Sequence, residues 1–188
     1  MTALPGPTAD PGVDLLQRAL DYTRGALASV RPEHLCHPTP CDLWRLGDLL
    51  AHMEDALDAF SEGADGAIGL HSAAPAPLAQ RLDAIRLKAC HLLGAWASAT
   101  TPIVLVGGRP MPVGTIARLA AVEITVHGWD VHQATGSAVP VPAPFAEALM
   151  PTALAIALEQ DGEFGPPVPV PDGAGPARRL LALLGRAA

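Results

Sequence analysis

VGTIARLAAVEITVHGWDVHQATG, residues 113–136, combines a helical apolar stripe with two ionisable groups that lie on it. Ile116, Leu119, Ala120, Val122, Val126 and Val131 recur at helical spacing, and Gly136 can supply the left-handed residue that ends a helix. The pattern predicts a helix over 113–135. Glu123 and His127 are four residues apart, so both side chains leave the same face. A carboxylate on an inward stripe costs several kcal/mol, or takes up a proton, unless it is paired or ligates a metal. The spacing alone admits two readings: a hydrogen-bonded Glu–His pair, or two ligands for one ion.

Working outward, the chain offers further helical windows. Residues 13–30 carry Leu16, Leu20, Leu27 and Val30 in phase and meet Pro32. Residues 43–62 carry Leu46, Leu49, Leu50, Met53, Leu57 and Phe60 on one stripe, with Asp42 as a helix cap. Residues 63–76 are small and Pro-rich, which reads as a loop. Residues 77–99 form a third helix, 113–135 a fourth and 143–160 a fifth. Ile103–Val106 is a short β-branched run, a strand or an extended arm. The end of the chain reads as an extended tail followed by a short helix, with Leu180, Leu181, Leu183 and Leu184 packing on the body. These elements predict an all-α four-helix bundle, in one domain over residues 1–188. Residues 1–11 are expected to be flexible, and 161–188 to form the tail and its short helix.

Composition narrows the function classes. Of 188 residues, 49 % are apolar and 16 % charged, which excludes a wholly disordered chain. The net charge of −7, without a basic run, weighs against nucleic acid and anionic membrane surfaces. The longest apolar runs fall far below the ~20 residues of a spanning helix. The N-terminus lacks a charged and apolar leader, and the three cysteines cannot all pair, so a cytoplasmic location with reduced thiols is expected. GxSxG, Walker A and GxGxxG patterns are absent from the sequence.

His52, in LLAHMED, borders the stripe of the second helix. It reads as a satisfied core histidine or as a ligand. Joined to Glu123 and His127 it would complete a three-ligand set with open positions, the pattern of catalytic rather than structural zinc. CHPTPC, with Cys36, His37 and Cys41, is a second and looser zinc candidate. Cys41 alone reads as packing beneath the helix it precedes, or as a thiol activated by a helix N-terminus. His132 lies five residues beyond His127 and is expected at the surface, while His34, His71 and His91 have no spaced partner. Arg109, in GGRP, reads as a solvent-exposed arginine or an anion contact.

Three segments together resemble a known family. They are TPCDLWRLGDLLAHM (Thr39–Met53), VEITVHGWDVHQATG (Val122–Gly136) and FGPPVPVPDGAGPARRLLALLGR (Phe164–Arg186). In order and separation they are similar to the DinB-like group that includes the metal-binding domain of mycothiol-dependent maleylpyruvate isomerase. The resemblance implies a DinB-like four-helix bundle. It also implies a divalent metal, commonly zinc, held by His52, Glu123 and His127, with mycothiol or water on the metal's open side. Such an ion serves as a Lewis acid. Trp129 and Asp130 match the family's HGWD, with Trp129 expected to pack the helix and Asp130 to support a ligand or cap. The full isomerase carries an additional C-terminal domain, whereas this sequence stops after its Leu-rich tail; that weighs against maleylpyruvate isomerisation.

The leading expectation is a metal-dependent enzyme performing thiol-assisted transfer or isomerisation of a small molecule. The alternatives are a thiol-independent cyclase, lyase or hydrolase of a biosynthetic pathway, and a non-catalytic metal- or small-molecule-binding bundle. An alanine-rich bundle of this hydropathy also suits a homodimer.

Overall fold

The computed structural model describes residues 10–41, 44–65, 74–98, 102–106, 109–159 and 164–188. Six helices and one hairpin follow in order: α1 (Pro11–Leu27), α2 (Leu46–Asp65), α3 (Leu78–Ser98), β1 (Ile103–Val106), β2 (Arg109–Pro112), α4 (Val113–Thr135), α5 (Ala143–Glu159) and α6 (Pro176–Leu183). Asp10 and Pro11, grouped above with the N-terminal segment, are instead the cap and first residue of α1; residues 1–9 lie outside the described residues. The Asp10 carboxylate accepts from the Gly12 N–H at 2.6 Å, and proline at the first helical position needs no partner for its missing N–H. Asp42 also lies outside the described residues. At the start of α2, Asp48 accepts from the Arg45 N–H at 3.0 Å. α4 ends as its sequence predicts, on Gly136 with φ 72°.

Within the first four long helices each has two neighbours of that set: α1 packs on α4 and α3, and α2 packs on α3 and α4. The bundle therefore closes on itself. Leu16, Leu49, Leu50, Leu92 and Ile116 are fully buried at its centre. A charged seam stitches α2 to α3 at the edge: Arg81 and Lys88 both contact Glu54, at 2.7 and 2.9 Å, and Lys88 also reaches Asp58. The β-branched run 103–106 pairs antiparallel with 109–112, forming a two-stranded hairpin with Ile103 opposite Pro112. It joins α3 to α4 and buries Val104.

α5 lies against α4 outside this ring, and α6 packs on α5. The tail, with Leu180, Leu181 and Leu184 buried, returns to the bundle as expected. This second layer changes the character of α4. An amphipathic helix needs only one buried face, yet every residue from Ile124 to His132 is buried. α1 approaches α4 so closely that a Cβ on Gly128 would run into the Thr23 side chain. The Thr23 hydroxyl donates across that crossing to the Ile124 carbonyl at 2.8 Å. Gly128→Ala should therefore cost about 1–3 kcal/mol through overpacking, measured by urea unfolding. Gly25→Ala, on a part of α1 with no atom near the added methyl, serves as the control and should be neutral or stabilising.

Among the described residues, no helix is long and apolar enough to cross a membrane.

Candidate metal centre

Three side chains from two helices meet at one carboxylate oxygen. His52, from α2, donates through Nε2 to Glu123 Oε1 at 2.8 Å. His127, one turn beyond Glu123 on α4, donates through Nε2 to the same oxygen at 3.1 Å. The three donor atoms lie within 4.8 Å of one another. Exposure falls from 34 % at the His52 side chain to 12 % at Glu123 and 3 % at His127. His52 is thus the solvent-facing member.

The electrostatics show why this group coheres. Burial alone would raise the Glu123 carboxyl, but the charge of His127 and the hydrogen bonds from both histidines hold it well below the usual carboxylate range. Burial alone would lower His127, but the charge of Glu123 and the hydrogen bonds to Asp130 and Glu123 push it up to about 9. Glu123 and His127 thus each favour the charged form of the other. Two imidazole Nε2 atoms and one carboxylate oxygen are also a donor set that suits a divalent ion with open positions. By the chemistry of their donors, the residues present fit such an ion.

Asp130, fully buried, accepts from His127 Nδ1 at 3.0 Å, which fixes the ring and aims Nε2 at Glu123. Arg186, from the tail, is only 2 % exposed. It donates to both Asp130 oxygens, through Nη2 at 2.9 Å and Nε at 3.3 Å, and its Nη1 donates to the Leu184 carbonyl at 2.8 Å. Gly185, at φ 81°, precedes it where the tail folds back on itself: a Cβ there would sit 2.8 Å from the Gly165 backbone. The rings of the site stack around this core. Trp44 lies 4.7 Å from His52, Phe164 lies 6.0 Å from His127, and the Arg186 guanidinium sits 5.2 Å over Phe164.

The structure brings together the expected His52, Glu123 and His127, and places Asp130 against the His127 ring. Trp129 is buried, as a packing residue should be. His132 departs from expectation: it is 3 % exposed rather than at the surface, and its ring lies against Tyr22 of α1 and the Ser137 hydroxyl just beyond α4. Cys36 and His37 do not gather with Cys41. Cys36 is exposed, and His37 Nδ1 bonds to the Ala134 carbonyl at 2.8 Å. Cys41 instead stands with His127 and Asp130 in a second group whose ligand atoms lie within 4.8 Å of one another. Its thiol is pushed up by burial, against the pull of Arg186, so it is not the activated thiol of a helix N-terminus. Arg109 is exposed on β2, and His71 lies outside the described residues. Arg186, Phe164 and Trp44 escaped the sequence reading. The one signal available was Asp130, a carboxylate on an otherwise apolar helix that requires a cation from elsewhere.

His132 has its own electrostatic consequence. Its Nδ1 bonds to the Ser137 hydroxyl, its ring lies 5.3 Å from Tyr22, and burial pushes its pKa down. A folded-state pKa below the unfolded 6.5 means that its neutral form supports the fold above pH 6.5, and that this support is lost as pH falls through the depressed value. The stability difference between wild type and His132→Gln should therefore shrink between pH 7 and pH 5. Urea unfolding at both pH values measures it.

Beside the triad, α1, α2, α3 and α4 enclose a cleft of about 340 Å³. Glu123, Ile124 and His127 form its floor, and exposed residues of α1 and α3 form its mouth.

Comparison with known proteins adds the following. The family model of the mycothiol maleylpyruvate isomerase N-terminal domain matches residues 16–132. Two uncharacterised proteins of Mycobacterium tuberculosis, from strains CDC 1551 and H37Rv, are each 30 % identical over 183 residues, covering 90 % of this chain and 94 % of theirs. Among solved structures, the mycothiol-dependent maleylpyruvate isomerase superposes with a TM-score of 0.62 at 17 % identity. The match covers 84 % of this chain and 72 % of that one, and a histidine-to-alanine mutant of the isomerase matches equally well. This likeness shows that the two share a fold.

Proposed function

This chain belongs to the mycothiol maleylpyruvate isomerase N-terminal domain family, and from that premise we propose that it is a metal-dependent enzyme acting on a small molecule. His52, Glu123 and His127 would hold one divalent ion, zinc in the first instance, with a low-molecular-weight thiol such as mycothiol on its open side. When bound, the ion supplies Lewis acidity, which stabilises a thiolate and polarises a carbonyl. The rest falls to the chain's own residues. Asp130 holds the His127 ring by Nδ1, so that Nε2 keeps its aim. Arg186 holds Asp130 by two contacts and fixes its orientation. Trp44 and Phe164 cover the two imidazoles and limit water at the site. The reaction class this arrangement supports is thiol-assisted transfer or isomerisation.

The observation that carries the reading is the convergence of two Nε2 atoms on one carboxylate oxygen, with the inner histidine anchored from behind. Metal analysis of protein purified without chelators should find about one divalent ion per chain, and its absence would overturn the reading. Mycothiol added to the cobalt-substituted protein should shift the visible spectrum. No response at millimolar thiol would remove the thiol from the reading and leave the metal.

A further inference from the structure

The cleft beside the triad says what kind of molecule the site admits. Its walls are hydrocarbon: Leu20 and Leu27 from α1, Met53 and Leu57 from α2, Ile85 and Leu93 from α3. Thr23, a polar wall residue, spends its hydroxyl on the Ile124 carbonyl. At the mouth stand two arginines, each neutralised by an aspartate of its own helix: Arg24 pairs with Asp21 at 3.1 Å and Arg86 with Asp83 at 3.0 Å. The rim therefore selects neither an anion nor a cation. The polar groups at the other end are Glu123 and His127, on the floor. A cleft with apolar walls, a charge-balanced rim and a polar floor matches a molecule with an apolar body and one polar head, entering head first. A cleft of about 340 Å³ lies at the small end of the ~300–1,000 Å³ typical of small-molecule sites, which suits a ligand on the order of ten non-hydrogen atoms.

We propose that the substrate is a medium-chain amphipath: an alkyl or similarly apolar body of about ten heavy atoms, bearing a metal-seeking oxygen or sulfur head directed at Glu123 and His127. This rests on the metal reading above for its head and on the cleft alone for its body. A short, doubly charged acid would leave the walls of Leu, Ile and Met uncovered and bring a second charge into an apolar space with no partner for it. The small side chains Ala56 and Ala89 keep the channel open between α2 and α3. Their substitution by larger groups is the way to close it.

The test separates body from head. Octan-1-ol, which has no chelating head, is titrated by calorimetry into metal-free protein. Saturable binding that Ala89→Phe abolishes is expected, and absence of binding overturns the proposal whatever the metal does. Ala56→Leu repeats this arm if Ala89→Phe fails to fold. Octanohydroxamate and acetohydroxamate are then titrated into zinc-loaded protein. The long chain should bind at least 100-fold more tightly, and Ala89→Phe should erase that advantage while leaving acetohydroxamate binding and zinc content unchanged. Equal affinities for the two hydroxamates overturn the proposal with the metal reading intact. Octan-1-ol binding in a protein that takes up no zinc upholds the apolar body and overturns the metal-seeking head, together with the metal reading on which it rests.

Discussion

Glu123→Gln should take up no divalent ion at concentrations that saturate the wild-type protein. Glu123 is the one carboxylate among the three converging side chains, and both histidine Nε2 atoms already point at its Oε1. Glutamine keeps the shape and still accepts from both rings, so the bundle should fold. What it loses is the negative charge that makes the position attractive to a cation. The charge that pushes His127 upward goes with it. The loss should exceed the ~10–100-fold weakening that follows removal of a supporting partner of a metal ligand. Metal analysis after gel filtration measures it directly, with Asp130→Asn as the intermediate case. Wild-type affinity in Glu123→Gln would end the assignment of these three residues.

Arg186→Met should destabilise the fold by about 3–5 kcal/mol, the cost of breaking a buried ion pair by removing one partner. Asp130 is fully buried, and without the guanidinium its carboxylate keeps a single partner, His127 Nδ1. Arg186→Lys should recover only part of this, because a single ammonium cannot reproduce the two-point contact. The double variant Arg186→Met, Asp130→Leu separates the two roles of the pair. Replacing both charges with apolar groups should return most of the stability. The His127 ring stays without its anchor, so metal affinity should remain about 10–100-fold below wild type. Urea unfolding and metal titration on the same four proteins resolve the two effects.

What could be read from the sequence divides by the range of the interaction involved. The helix at 113–135 was predicted to the residue because its end is written locally: Gly136 takes the left-handed conformation there. The window 13–30 places the first helix two residues late at its start and three residues late at its end. Its start is a cap formed by Asp10 before Pro11, and its last turn loosens as the Ser29 N–H bonds to the Ala26 carbonyl. Glu123 and His127 could be paired because they share a helix. His52 is 71 residues from Glu123; ligand chemistry on two facing helices makes them a possible set, and the family resemblance selects it. Arg186 is 56 residues from Asp130, and the family resemblance, though it spans both residues, does not pair them. His132 was misplaced for a different reason. The stripe rule leaves that face of α4 to solvent, whereas Tyr22 of α1 and Ser137 beyond the helix end enclose the His132 ring. The cleft was invisible, because it depends on small side chains at Ala56 and Ala89 leaving space that periodicity does not register.

The route by which Arg186 reaches Asp130 also sets an order of events during synthesis. At ~5–20 residues per second, the 56 residues between them take about 3 to 11 s to appear. Helix formation needs on the order of a microsecond, so α1, α2 and α4 can dock while the tail is still leaving the ribosome. Throughout that interval Asp130 has no guanidinium partner, and the inner histidine is held less firmly. The His127 ring of the nascent bundle is therefore held from one side only until Phe164 and Arg186 close over it.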